Sequence, residues 1–553
     1  MNFFKQYIYF GLKSHWLLIL IVIGAGLRLF DLNWDGVFNF HPDEMNIAGA
    51  INHLRASNFF NPDFFAYGSF PIYTNYAVKN LLGSFGFIPS EYLIGRTMSS
   101  IASIGCILLV YKIGLILTSK WPERDRKIVL VVATFLTTFS PALIQSAHFM
   151  TFETLLAFEY LVFLYFILKA DHNQKKLFLY LAAAVIAVAI ATKVTSLFLI
   201  PILIIAIYRK ASLEDNFFRK LKQFGKIIFN ATLISFLTLV ILFPYIFISW
   251  NKFIATINYE SMVANGSIKV FYTREFLDTV PLFFQLSKQS NFLFGNLAWL
   301  IFLGIGVFYL FIKKNKNKIS WIFLLLIILL GLLTQCFLFV KWLRYSVTFI
   351  PLCSLFAGLG CLYATKIFKI PSMVIIILLF FLTLSGSILF MNVYIQNDTR
   401  IAAANWAEKN IDSDSNILSE TYDLGILPFN LKFMKNITLF NFYELDRSKK
   451  VKELSTLLEK SDYFISPSRR ISANYKNNQI DLPEVYNFYQ SLNDGNLGFD
   501  LIKVFQTRTD YYLLGYKPED LEGTFEAFDH PTVKIYKKTK SFKADEYEKI
   551  IQK

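Results

Sequence analysis

The chain has 553 residues, 55% of them hydrophobic and 17% aromatic, with 59 Phe and a mean hydropathy of +0.44. A soluble domain of this size cannot hide so much apolar surface, so lipid must act as solvent for much of the chain. The net charge of +15 sits in short loops rather than on one folded basic face, which argues against a nucleic-acid partner.

Runs approaching the roughly 20 apolar residues that a span needs recur at 16–30, 92–118, 127–147, 151–169, 177–192, 194–208, 227–250, 291–312, 320–340, 343–365 and 371–395. The reading is about eleven transmembrane helices, with Thr192 and Lys193 dividing the stretch 177–208. No small-residue cleavage site follows the first run and further spans do, so it reads as a span and not a removable signal. Lys and Arg in the short loops set orientation. With the N-terminus (Lys5, Lys13) cytoplasmic, "SKWPERDRK", "KADHNQKK", "RKASLEDNFFRKLKQFGK", "KKNKNK" and "TKIFK" all fall on one side. The opposite loops, 31–91, 140–151, 251–290 and the short link around Lys341 and Arg344, are longer or nearly uncharged. An odd number of spans then places the tail outside a multi-pass protein of the cytoplasmic membrane. The four cysteines, Cys106, Cys336, Cys353 and Cys361, all lie within spans and imply neither a disulfide framework nor a metal spacing.

Two domains follow: a membrane domain, 1–395, with outer loops 31–91 and 251–290, and an outer α/β domain, 396–553. The tail opens with a helix to about Asn410, then alternates strand-like runs ("NILSE", "DYFISPS", "LIKVFQT", "TVKIYKK") with the helical "SKKVKELSTLLEKS". Recognition of an acceptor, a lid over the membrane site and a stabilising cap are all open roles for it. The terminal "KADEYEKIIQK" is expected to fray. The outer loop 251–290 mixes aromatics with Glu260, Arg274 and Glu275, as amphipathic helices lining a groove at the membrane surface would. Its "NGS" (265–267) fits a glycosylation acceptor pattern that matters only where that machinery exists.

Span interiors are nearly free of Asp and Glu and show no internal repeat, unlike most transporters. Ionisable residues gather at the outer edge instead: Asp43, Glu44, Arg96, His148, Glu153, Lys193, Lys341 and Arg344. Standing alone, each has a plain reading. Asp43 and Glu44 can decorate a helix start, and His148 and Glu153 can finish a loop. Lys193 can snorkel from a span end, and Arg96 can anchor at the interface. Together they fit transfer of a sugar from a lipid phosphate. A phosphate leaves as a stable anion, so no general acid is needed, unlike glycoside hydrolysis. One carboxylate can act as base on the acceptor hydroxyl, and Arg and Lys can hold the departing phosphate.

Several motifs carry a family resemblance. "HPDE" (41–44) follows the first span, and "YGSFPIY" (67–73) lies later in the same loop. "GRTMSS" (95–100), "SPALIQSAHFMTFET" (140–154), "ATKVTSLFLIP" (191–201), "KWLRYSVTFIP" (341–351) and "DHPTVKIYKK" (529–538) come in order after them. Through these the chain resembles the GT-C-fold polyprenyl-phosphate-dependent glycosyltransferases, the group of protein O-mannosyltransferases and of bacterial transferases that put aminoarabinose on lipid A. Two positions depart from the pattern: Glu153 stands where relatives carry Asp, and "YGS" replaces a Tyr-Gly-Pro turn.

The resemblance implies a GT-C-like fold and transfer, with inversion, from an undecaprenyl-phosphate-type donor. The acceptor would be a hydroxyl of a lipid, glycan or protein on the outer face. It implies catalysis by Asp43, with Glu44 orienting it or binding sugar. Arg344, Lys341, Tyr345, Lys193 and Arg96 would bind the donor phosphate, and His41, Tyr67, His148 and Glu153 the substrate. No cofactor and no metal are expected. Pro42 suits the first helical turn and a helix start favours an ionised carboxylate. Neighbouring helical residues point roughly 100° apart, so only one of the acidic pair can face the sugar, and Asp43 is preferred. The competing functions are a transporter or flippase of lipid-linked sugars and an oligosaccharide ligase.

Overall fold

The computed structural model describes residues 15–214, 216–312, 317–368, 372–420, 432–433, 435–445, 448–475, 479–480, 482–507 and 521–553. Lys5, Lys13, most of "KKNKNK" and Lys369 of "TKIFK" lie outside the described residues. Among the described residues, six helices are long and apolar enough to cross a membrane, or seven if one bent pair counts as a single span. Three shorter apolar helices, His15–Leu29, Lys176–Thr192 and Ala298–Ile312, run with them. The chain is a multi-pass membrane protein.

The bent pair, Glu123–Phe139 and Pro141–Ala147, turns by 50°. Pro141 has no N–H for the carbonyl four residues earlier, which is that of Thr137. Arg28 fills the gap: its Nη2 donates to Thr137 O (2.8 Å), its Nη1 to Thr138 O (3.0 Å) and its Nε to Ser103 Oγ (2.7 Å). One buried guanidinium thus ties three helices together and satisfies backbone that lipid could not. Elsewhere small residues let helices close up. A Cβ on Gly360 would lie 1.7 Å from Phe302 O, so Ala298–Ile312 and Ile350–Ile367 pack backbone to backbone.

Contacts place the basic loops together at one end of the bundle: Lys366 pairs with Asp125, Arg209 with Asp171 (3.0 Å), and Asn317 donates to Leu117 O (2.8 Å). The first loop, the residues around Glu153, the break at Lys193, the 251–290 segment and the link at Arg344 gather at the other end.

The C-terminal region is an α/β domain. Its sheet runs β2-β1-β3-β5-β4, from β1 (Ile417–Glu420), β2 (Ile437–Phe440), β3 (Tyr463–Ser466), β4 (Phe499–Phe505) and β5 (Val533–Lys538). β2, β1 and β3 are parallel, and β5 is antiparallel to β3 and β4. The sequence reading has four of these strands and lacks β2. The terminal segment is also not frayed: Ala544–Ile551 is a helix that buries Tyr547 and Ile551 against Leu454 and Leu458. Those two side chains are four residues apart and share one face, enough to dock a short charged helix. The "DHPTVKIYKK" segment is the domain's anchor. Asp529 accepts hydrogen bonds from Gln145 Nε2 and from Tyr394 OH (3.0 Å), both on the membrane bundle.

Candidate active site

The helix Pro42–His53 begins at His41, with Pro42 in its first turn and Asp43 and Glu44 beside it. The two carboxylates point to different places. Glu44 faces inward and is fully buried, where it receives Arg96 Nε (2.9 Å) and the backbone N–H of Met150. Arg96 also makes a two-pronged pair with Asp35 at 2.8 Å on each oxygen and donates to Leu32 O (2.9 Å). Glu44, Arg96 and Asp35 form a closed structural triad that clamps the start of this helix. Both Glu44 as an orienting or sugar-binding group and Arg96 as a phosphate ligand are therefore reassigned, because each is consumed by the other. An Arg96→Met variant leaves two buried carboxylates without a cation. It is expected to lose about 3–5 kcal/mol of stability, read as a lowered thermal midpoint of the detergent-purified protein.

Asp43 faces outward into a cavity of about 830 Å³. There it pairs with Arg344, each side chain 23% exposed. Burial opposes ionisation of Asp43, but the charge of Arg344, that of His41 when protonated, and the hydroxyl of Tyr67 outweigh it and hold the carboxyl below its usual range. Arg344 is planted on the short helix Leu343–Val347, with its guanidinium over the Trp342 ring at 4.4 Å. Tyr67 and Tyr345 complete this wall. Tyr67 is placed by Gly68, whose N–H donates to Thr192 O (3.0 Å) and whose added Cβ would stand 1.9 Å from Ala191 O. The "YGS" turn thus works through the close approach of its glycine.

Lys193 enters the same cavity from the break between two helical segments. Its ammonium lies 3.8 Å from the Phe152 ring centre, 5.1 Å from Tyr345 and 6.0 Å from Tyr67. Burial and the nearby Arg344 charge lower its pKa to about 7. The free site therefore loses a cation as pH rises through about 7. An anionic ligand is expected to bind more weakly above that pH, and a Lys193→Arg variant to flatten the dependence, as read by titrating undecaprenyl phosphate at several pH values.

The remaining candidates lie elsewhere. Lys341 turns away from the cavity, its Nζ donating to Phe339 O (2.8 Å), so it is not placed to hold a ligand beside Arg344. His148 is buried between the carbonyls of Ile144 (2.8 Å) and Phe30 (2.9 Å) and stacks on Tyr394 at 3.7 Å. It is a packing residue, not a substrate contact. His41 and Glu153 lie behind the Arg344 wall, on a separate void of about 40 Å³.

The cavity wall also holds Glu260, which the sequence reading put in the groove-lining 251–290 segment, and residues that it did not select. Glu260, from the helix Trp250–Asn265, lines the cavity, and burial raises its pKa. Tyr272 stands there too, stacked on Trp342 at 6.2 Å. The C-terminal domain supplies Arg470, Asn474 and Thr524, which form part of the same wall. Leu156, Val194, Leu197, Phe198 and Leu338 give the lining its apolar part. Such a cavity can take an anionic head group and an attached hydrocarbon chain. Among the described residues, no group of three or more His, Cys, Asp or Glu side chains converges as a metal site would.

No protein-family model and no curated protein matches the chain. Several solved structures are similar in shape. The archaeal oligosaccharyltransferase AglB from Archaeoglobus fulgidus, in complex with an inhibitory peptide and a dolichol-phosphate, is 15% identical with a TM-score of 0.48, over 88% of this chain and 73% of that one. The oligosaccharyltransferase of the same organism in complex with Zn and sulfate is 14% identical with a TM-score of 0.47, over 94% of this chain and 88% of that one. ArnT from Cupriavidus metallidurans bound to undecaprenyl phosphate is 12% identical with a TM-score of 0.45, over 95% of this chain and 98% of that one.

Proposed function

We propose that the chain is a membrane glycosyltransferase. It moves a sugar from a polyprenyl-phosphate donor to an acceptor hydroxyl at the extracytoplasmic face, with inversion at the anomeric carbon. The observation that carries this reading is the Asp43 carboxylate paired with Arg344, with Lys193 on the same large cavity, whose lining also includes an apolar part.

The apolar lining receives the polyprenyl chain, and Arg344 and Lys193 receive the phosphate. The acceptor oxygen attacks the anomeric carbon opposite the phosphate. Its proton passes to Asp43, and the electrons of the breaking carbon–oxygen bond go to the phosphate, which needs no proton. Arg344 and Lys193 stabilise the charge that grows there. In the free site Arg344 is engaged by Asp43, which makes the carboxylate a weak base. A bound phosphate competes for Arg344, frees Asp43 and restores its basicity. Donor binding thus prepares the base, and an unliganded site stays inactive. The basic loops at the opposite end of the bundle support a cytoplasmic placement for that end.

The test gives detergent-purified full-length protein a panel of undecaprenyl-phosphate-linked pentoses and hexoses, with lipid, glycan and protein acceptors from the cell envelope. Free undecaprenyl phosphate and glycosylated acceptor should appear together. A donor that remains intact but crosses between the leaflets of reconstituted vesicles would identify a flippase instead. Transfer only from diphosphate-linked oligosaccharides would identify a ligase.

A further inference from the structure

Three residues that line the small void beside Arg344 each carry a buried polar atom with no hydrogen-bond partner among the described residues: His41 Nδ1, Glu153 Oε2 and Arg344 Nε. His41 and Glu153 are each only 2% exposed. Leaving such groups unpaired in a protein interior is destabilising, so the arrangement calls for a polar occupant. At about 40 Å³ the void exceeds the space one water needs, and three polar neighbours are what a buried water ordinarily has.

The void also lies against the reaction centre. Arg344 lines it and holds Asp43 through Nη1. His41 precedes Asp43 by two residues, and each ring or carboxylate acts on the other's charge. The His41 ring is fixed between Phe528, stacked at 4.2 Å, and the edge of Phe149 at 4.7 Å. The charged groups that face it are Glu44, Asp43, Arg344 and Glu153. Burial keeps the ring below the ordinary histidine pKa, so it is neutral near pH 7 and able to accept a proton.

We propose that His41, a water in this void and Glu153 form the outlet for the proton that Asp43 removes from the acceptor hydroxyl. This inference rests on the transferase reading above. The proton passes from the Asp43 carboxyl to the second nitrogen of the His41 ring, Nδ1–H gives its proton to the water, and the water gives one to Glu153. Asp43 and the water are then in their starting forms. The ring is left as its other neutral tautomer, which resets by proton exchange with water, and Glu153 holds the proton until solvent removes it. No further reactant is required. His41 and Glu153 act through Asp43 and touch no substrate, so they are positioning residues. The outlet lets Asp43 be ionised again before the next acceptor arrives.

The test compares wild type, Glu153→Gln, Glu153→Asp and Asp43→Asn with an undecaprenyl-phosphate hexose that the wild type accepts. Undecaprenyl phosphate release is followed in H₂O and in D₂O. Glu153→Gln fills the same space without taking a proton. It should lower kcat about ten-fold, leave the donor KM within about two-fold, and change the solvent isotope effect. Glu153→Asp should restore most of the rate, because water can span the missing methylene. Wild-type kcat and isotope effect in Glu153→Gln, with Asp43→Asn inactive, would overturn the outlet and leave the transferase reading intact. A loss confined to KM would also overturn it, as a purely structural effect. If the wild type releases no undecaprenyl phosphate from any donor, the transferase reading itself fails. Independently of turnover, a high-resolution cryo-EM map should show water density joining the three atoms; a collapsed, dry void would overturn the proposal.

Discussion

Asp43→Asn is expected to slow sugar transfer about 10²- to 10⁴-fold while the donor still binds nearly as well as to the wild type. The substitution keeps the size of the side chain and an oxygen that can accept from Arg344, but it removes the carboxylate assigned to take the acceptor's proton. Glu44 cannot substitute for it, because both of its oxygens are held by Arg96 and the Met150 N–H. Glu260 lines the same cavity from a different helix, so Asp43→Asn is paired with Glu260→Gln to measure any rate that Glu260 supplies. Rate and affinity must be measured separately. A variant that lost donor binding and rate equally would make Asp43 a support for Arg344 and not a base.

The second large effect is at Arg344. Arg344→Lys keeps the charge but loses the planar fork that can hold a carboxylate and then a phosphate, and it is expected to lower kcat about 10²-fold. Arg344→Ala adds a directional result. The Arg344 charge and hydrogen bond depress the Asp43 pKa, whereas burial alone would raise it. Without Arg344 the carboxyl becomes protonated at a higher pH. The acid limb of the kcat/KM profile, which reports the free enzyme, should therefore move upward, since a protonated Asp43 cannot act as base. An unmoved acid limb would mean that Arg344 does not hold Asp43 in the free enzyme.

The part of the site visible in the sequence is the part set by local rules. Pro42 marks a first helical turn, and two adjacent acids on a helix must diverge, so one of Asp43 and Glu44 was bound to face away from the substrate. Which partner the inward acid would meet was not visible. Arg96 is 52 residues farther on, and Asp35 had no periodic or motif signal to mark it. Lys341 and Arg344 show the same limit. They sit three residues apart in a short link where no helical period dictates direction, and only one reaches the cavity. His148 lay in a polar, motif-like stretch, yet the carbonyls of Ile144 and Phe30 claim both ring nitrogens. The wall built from Arg470, Asn474 and Thr524 was beyond sequence reasoning for another reason: it exists only because the C-terminal domain docks through Asp529 onto the bundle. The membrane bundle was more legible, since apolar length and loop charge are properties of contiguous residues. The sequence reading lacks β2 because Ile437–Phe440 stands between segments without a clear strand pattern.

The most direct test of the account is a structure of the Asp43→Asn variant with an intact undecaprenyl-phosphate sugar that the wild type consumes. The account predicts the donor phosphate between Arg344 and Lys193, its hydrocarbon chain along Leu156, Leu197 and Phe198, and the anomeric carbon facing position 43. A phosphate held at Lys341, or one bound at the basic loops of the opposite end with the cavity empty of lipid, would contradict it.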